Sequence, residues 1–304
     1  MKPLLFLLLL FLPFFQPVFA QDSSCRVRIS LLTCAPGAEL YSTFGHTALR
    51  IQDSTKGTDL VYNYGTFDFN DPQFYTKFVR GKLDYTLSVD KFADFMYEYE
   101  EEQRSVQEQW LNLTCAEKQQ IITALVINLQ GANRYYKYDF IYDNCTTRVR
   151  DIIFHSLPGS SVKNKLVPEG TTARNLIYSY LDRGGEPWSK LGIDILLGAK
   201  LDKPVDNNVA MFLPDYLLKG IDSATINHTQ LLVRQKQTLL NMETPIEPTG
   251  NYVPLITFAI VCSLIASLYF LPYGRAKTFC RVMDSFLLYL TGLLGLLLMF
   301  MWWG

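Results

Sequence analysis

The C-terminal tail constrains this chain more than any other stretch. Tyr252 to Tyr273 carries no charge, nor does Ser285 to Gly304, and each is long enough to cross a bilayer as a helix. Two transmembrane helices are therefore expected, over about 252–273 and 284–304. Arg275, Lys277 and Arg281 fall between them, and the positive-inside rule puts that short turn in the cytosol. The other end agrees. Lys2, the apolar run Leu4 to Phe15 and the small-residue site Val18-Phe19-Ala20 make residues 1–20 a secretory signal, an uncleaved anchor being the alternative. Both ends place residues 21–250 outside the cytosol.

That exported part is long enough for one large core with an appendage, expected at about 25–160 and 161–250. Charge is nearly balanced, 28 Lys+Arg against 29 Asp+Glu, which gives no basic footprint for nucleic acid. Four of the six cysteines are exported: Cys25, Cys34, Cys115 and Cys145. None has the paired spacing of a metal site, so no metal is expected, and the thiol chemistry set out below implies no cofactor. An oxidising compartment permits disulfides, and the spacing leaves the pairing open.

Period-two alternation marks strands at Arg26–Leu32, Gly45–Ile51, Leu60–Gly65, Leu83–Val89 and Ser105–Leu111. A short helix is expected from Asp71-Pro72 to Gly81, and a second after Asp90, with Phe92, Phe95, Met96 and Tyr99 on one face. Thr114 and Glu117 form a capping box for a third, ending at Gly131. Strands with helices inserted between them predict an α+β domain with an antiparallel sheet. Farther on, Thr172–Leu181 reads as a helix and Thr225–Leu240 as a hairpin or a helix. Residues 244–250, with Pro245 and Pro248, make a linker. The region after 155 either closes the core or dips into lipid headgroups; the first reading is the simpler.

Chemistry concentrates between Tyr138 and Ile153. Tyr136, Tyr138, Phe140 and Tyr142 alternate as in a strand, and Val149, Ile152 and Ile153 follow at helical spacing. Asp143 or Asn144 suits the N-cap between them, which puts Cys145 in the first turn of a helix. Unpaired N–H groups and the dipole favour a thiolate there, and Arg148 and Arg150 add positive charge. Such a thiolate attacks acyl carbons. A buried cysteine or half of a disulfide is the plainer alternative. His46, at a strand start, is the candidate general base, and Asn63 on the partner strand is the candidate to fix its ring; a structural histidine and a polar residue near a strand end are the plainer alternatives.

A histidine on an early strand, a polar residue on the next and a cysteine at a later helix start resembles the order in circularly permuted papain-like enzymes. These include the NlpC/P60 group and lecithin:retinol acyltransferases. A closer resemblance runs from about Ser30 to Ile153. It is carried by Leu31–Gly37, Phe44–Arg50, Tyr62–Phe69, Phe78–Tyr85 and Asn144–Arg148. Together these are similar to the periplasmic domain of Lnb-type bacterial lipoprotein N-acyltransferases.

The resemblance implies a permuted papain-like (NlpC/P60-like) fold and a cysteine-dependent N-acyltransferase in the bacterial inner membrane, its catalytic domain in the periplasm. The implied acyl donor is a phospholipid, and the acceptor is the N-terminal cysteine amine of a lipoprotein. Cys145 and His46 match the family's pair, and Asn63 is the third member by analogy with the superfamily. Asn144, Thr146 and Arg148 are the expected oxyanion or supporting residues. Members usually continue with further membrane segments, whereas this sequence stops at Gly304. Two other readings stand beside this one: a cell-wall amidase or peptidase using the same pair, and a non-catalytic membrane receptor domain.

Overall fold

The computed structural model describes residues 25–67, 72–73, 77, 83–242, 252–269 and 273–302. The expected signal 1–20, most of the helix expected over 71–81 and the 244–250 linker lie outside the described residues.

A seven-stranded antiparallel sheet forms the centre. Its strands are β1 (Val27–Cys34), β2 (His46–Asp53), β3 (Thr58–Thr66), β4 (Asp84–Lys91), β5 (Val106–Leu111), β6 (Tyr135–Lys137) and β10 (Val233–Leu240). They run in the order β10-β5-β1-β2-β3-β4-β6. Helices α1 (Phe92–Glu101), α2 (Cys115–Asn128) and α3 (Cys145–Ser156) lie among the strands in sequence, which makes the domain α+β. After α3 come β7 (Ser161–Val162), α4 (Ala173–Arg183), α5 (Pro187–Leu197), α6 (Asn207–Ala210) and α7 (Pro214–Ser223). Then β8 (Ala224–Ile226) and β9 (Gln230–Leu231) complete a small second sheet with β7.

Strands β1 and β2 are central and buried on both faces, so they read as nearly continuous apolar runs. One face carries Ile29, Leu31, Leu49, Ile51, Tyr64 and Leu87 against Ile121 and Leu125 of α2, Val149, Ile152 and Ile153 of α3, and Leu217 and Ile221 of α7. The other carries Leu32, Cys34, Ala48 and Val61 against Phe95 and Tyr99 of α1. Truncating one such core Leu or Ile to Ala costs about 2–5 kcal/mol. A satellite core gathers Ile141 with Leu176, Ile177, Leu181, Leu201 and Phe212.

Several expectations are corrected. Asp90 does not cap α1: it stays in β4, where its carboxylate accepts from Ser88 Oγ at 2.9 Å, and Lys91 holds the N-cap position without a side-chain bond. The aromatic alternation from Tyr136 to Tyr142 is a strand only over Tyr135–Lys137. Beyond it the Asp139 carboxylate accepts from the N–H groups of Ile141 and Tyr142, at 2.9 and 2.8 Å, and turns the chain. Residues 225–240 form strands, and β10 joins β5 at the edge of the main sheet, so the core draws on chain from both sides of residue 160.

The tail folds as α8 (Val253–Tyr269) and α9 (Tyr273–Trp302). Lys277 and Arg281 lie within α9, not in a turn between helices. Among the described residues one helix is long and apolar enough to cross a membrane, over Lys277–Phe300; the apolar part of α8, Val253–Ser267, is shorter.

Candidate active site

Asn144 closes the N-terminus of α3 with a reciprocal cap. Its side-chain oxygen accepts from Thr147 N–H at 2.8 Å, while its own N–H donates to Thr147 Oγ1 at 2.8 Å. The Asn144 amide nitrogen donates to the carbonyls of Phe140 and Phe212, at 2.8 and 3.0 Å, which ties the helix start to the satellite core. With its amide committed in this way, Asn144 positions Cys145 and has no side-chain donor left for an oxyanion. Cys145 follows as the first helical residue, buried in the wall of the main core.

The sheet is opened to receive it. The β2–β3 register runs from Leu49 opposite Tyr62 to Asp53 opposite Thr58, so His46 and Thr47 lie beyond its paired end. Gly65 sits at a register shift between Tyr64 and Thr66 with φ +90°, a bulge conformation that favours glycine. A Cβ there would lie 3.3 Å from Cys145 Cβ, so glycine also gives the cysteine its room. Gly45, immediately before His46, has φ +79°, and a Cβ on it would come within 2.6 Å of Cys34 O.

His46 is half-buried, and its Nε2 lies 2.6 Å from Asn63 Oδ1. An amide oxygen only accepts, so Nε2 donates and the other ring nitrogen is left for the Cys145 thiol, whose charge acts on the ring. Burial pushes the Cys145 thiol up, but the His46 charge and hydrogen bond, Thr146 and the Thr47 N–H outweigh it, and the net direction is down. Burial alone would push His46 down; the Cys145 charge, its hydrogen bond and Asn63 turn it upward. The pair is held toward thiolate and imidazolium. Cys34, opposite His46 on β1, shows the contrast: burial raises its thiol to about 12. Neither Cys34 nor Cys145 is in a disulfide.

The other expected supports divide. Thr146 Oγ1 lies 3.7 Å from Cys145 Sγ and 3.2 Å from Thr47 Oγ1, beside the sulfur. Arg148 does not face it. Its guanidinium grips Asp143 through two bonds of 2.5 and 2.7 Å and stacks 3.9 Å from the centre of the Tyr136 ring. Arg150 pairs with Asp151 at 2.7 Å and donates to the Asn208 carbonyl. The two arginines are paired with acids one and five residues away in sequence, and the downward pull on Cys145 comes from His46, Thr146 and the Thr47 N–H.

Three groups emerge that sequence reasoning did not single out: the Thr47 N–H, Gly65 and the Tyr136 hydroxyl. Tyr136 is buried, its oxygen would lie 3.9 Å from a Cβ at Gly65, and among the described residues nothing hydrogen-bonds to it. Burial and the Cys145 charge both raise its phenol, which keeps it a donor. Tyr85 and Tyr138 stack beside it, with ring centres 4.5 Å apart. Phe140 instead packs on Phe44 and Phe212, and Tyr142 is exposed, so only part of the aromatic run lines this end of the sheet.

Among the described residues no group of three or more His, Cys, Asp or Glu side chains is placed to hold a metal ion. A cleft of about 820 Å³ is lined by Phe154, Val162, Val167, Val205 and Met211 among others, and not by Cys145, His46 or Asn63.

No curated protein and no solved structure matches the chain. A family profile described as the Lnb N-terminal periplasmic domain does match, over residues 15–178, and takes in His46, Asn63 and Cys145. That match covers more than half of the 304 residues. The chain belongs to the Lnb N-terminal periplasmic domain family.

Proposed function

We propose that this protein is a membrane-bound, cysteine-dependent N-acyltransferase. It moves a fatty acyl chain from a phospholipid, through a thioester on Cys145, to the N-terminal amine of a bacterial lipoprotein. The observation that carries the proposal is the grouping of Cys145, His46 and Asn63 at the opened end of the sheet, with the His46 ring bonded to Asn63 and its charge acting on the Cys145 thiol. Family membership and a helix fit to cross a membrane support a lipid substrate for that thiol. The sequence order of the three residues favours a permuted papain-like domain. We take α8 and α9 as two spans of the inner membrane with Lys277 and Arg281 on the cytosolic side.

The Cys145 thiolate attacks the ester carbonyl, and the carbonyl electrons move onto oxygen. The N–H groups of Cys145 and Thr146 at the helix start and the Tyr136 hydroxyl are the donors assigned to that oxyanion. Collapse expels the lysophospholipid alkoxide, which takes the proton held on His46. The acceptor amine then attacks the thioester, His46 removes its proton, and Cys145 leaves as thiolate. Asn63 keeps the ring turned so that the same nitrogen serves both steps. The aromatic side chains around Tyr136 and Tyr138 limit access of water to the thioester.

In cells lacking their own N-acyltransferase, the full chain is expected to make lipoproteins one acyl chain heavier at the N-terminal cysteine. Mass spectrometry of that lipopeptide is the readout, and Cys145→Ala is expected to leave it diacylated. Diacyl lipopeptides in both strains, with newly cleaved muropeptides only in the first, would assign the thiol to a cell-wall hydrolase.

A further inference from the structure

Helix α5 is amphipathic in the wrong sense for a soluble protein. Pro187 starts it and Gly198, at φ +55°, ends it, so the eleven residues Pro187–Leu197 form a discrete surface element. Its two charged residues, Lys190 and Asp194, both point inward. Lys190 Nζ binds Asp182 at 2.7 Å, Asp194 accepts from Tyr178 Oη at 2.5 Å, and Arg174 closes on the same carboxylate. Ile193 and Leu197 fill the rest of that inner face, against the satellite core.

The outer face is left with Trp188, Leu191, Gly192, Ile195 and Leu196, which contribute no charge. Trp188 is 53% exposed, Leu191 42%, Ile195 47% and Leu196 43%. On an ordinary surface helix the stripe would be turned the other way, apolar side in. An uncharged apolar face on a helix already fixed by ion pairs needs an apolar partner. The fold indicates which one. Helix α5 lies against α8, the apolar helix that leads into the candidate membrane span.

We propose that α5 is an interfacial helix, seated in the headgroup–acyl boundary of the membrane on the side of the Cys145 domain, with Trp188 as its anchor. Trp is favoured at that depth because the ring is apolar and its N–H still reaches water or headgroups. A seated α5 fixes the rotation of the domain about its tail. The inference rests on the membrane attachment proposed above and is independent of the chemistry at Cys145.

The test uses the full chain in vesicles of phosphatidylethanolamine and phosphatidylglycerol, with and without bromines on the acyl chains. The fluorescence lost in Trp188→Phe isolates the Trp188 share from the other tryptophans. Bromolipid is expected to cut that share by about twofold or more while aqueous acrylamide has little effect, as for an indole at the interface. Quenching by acrylamide alone would mean that Trp188 faces water; quenching by neither would mean that protein, such as a second copy, covers it. Either result overturns the inference. Vesicles that fail to carry the protein on flotation would remove the membrane reading as a whole, whereas flotation with Trp188 unquenched by bromine removes only the part given to α5.

Discussion

Two buried thiols of this domain, Cys34 on β1 and Cys145 at the start of α3, are shifted in opposite directions, and the His46 imidazole is the main difference. Cys34 is surrounded by apolar groups and the Tyr99 ring, so burial carries its thiol to about 12. Cys145 is as deeply placed, yet His46, Thr146 and the Thr47 N–H bring it below its ordinary value. The reactive form exists between the lowered thiol value and the raised imidazole value, so Cys145 is expected to react with iodoacetamide at pH values where a free cysteine is mostly protonated. In His46→Ala the burial effect stands unopposed and the profile moves to higher pH. At neutral pH the alkylation rate drops by about tenfold or more, a tenfold loss of thiolate for each pKa unit. Peptide mass mapping follows Cys145 and Cys34 in one sample. Equal pH profiles in wild type and His46→Ala would show that the imidazole does not set the thiol.

Cys145, His46 and Asn63 were legible in the sequence because each signal is local: a cap before a helix, a residue at a strand start, its neighbour across a hairpin. The arginines were misread by counting charge without its partners, although Asp143 and Asp151 stand close by in the sequence.

At the scale of the element, the site exists because a strand pair is left open. The β2–β3 ladder ends at Leu49 and Tyr62, which leaves the Thr47 N–H to the sulfur, and Gly65, at a shift in the β3–β4 register, removes the side chain that would meet Cys145. Gly65→Ala is therefore expected to cost about 1–3 kcal/mol in backbone strain and also to displace Cys145. Gly57 separates the two effects: it has φ +64° but nothing within 4 Å of a Cβ, so Gly57→Ala carries the strain alone. Thermal unfolding should report a loss in both variants, and low-pH alkylation of Cys145 should be lost only in Gly65→Ala. Identical alkylation in the two would separate the bulge from the site. None of this was readable beforehand, since a register shift depends on how β3 and β4 pair over a distance in sequence. The edge strand β10 was ambiguous for the same kind of reason: Val233–Leu240 is mostly polar and exposed, and its strand state is set by pairing with β5.

The whole molecule joins a buried thiol to an apolar tail in which, among the described residues, one helix is long and apolar enough to cross a membrane. The α+β class and the apolar tail followed from hydrophobic periodicity, which is dictated by burial against core or membrane. The lengths of the two tail helices did not follow, because an uncharged run sets where a helix can lie in a bilayer and not where its backbone breaks. An acyl enzyme requires the thiol, the imidazole and the membrane donor at once, so its detection tests the account most directly. The full chain is placed in phospholipid bilayers with no acceptor, digested, and the Cys145 peptide weighed. The account predicts that this peptide gains the mass of one fatty acyl group, that hydroxylamine removes it, and that adding a lipopeptide amine discharges it onto the acceptor. A Cys145 peptide that remains unmodified, while the acceptor still gains an acyl chain, would contradict it.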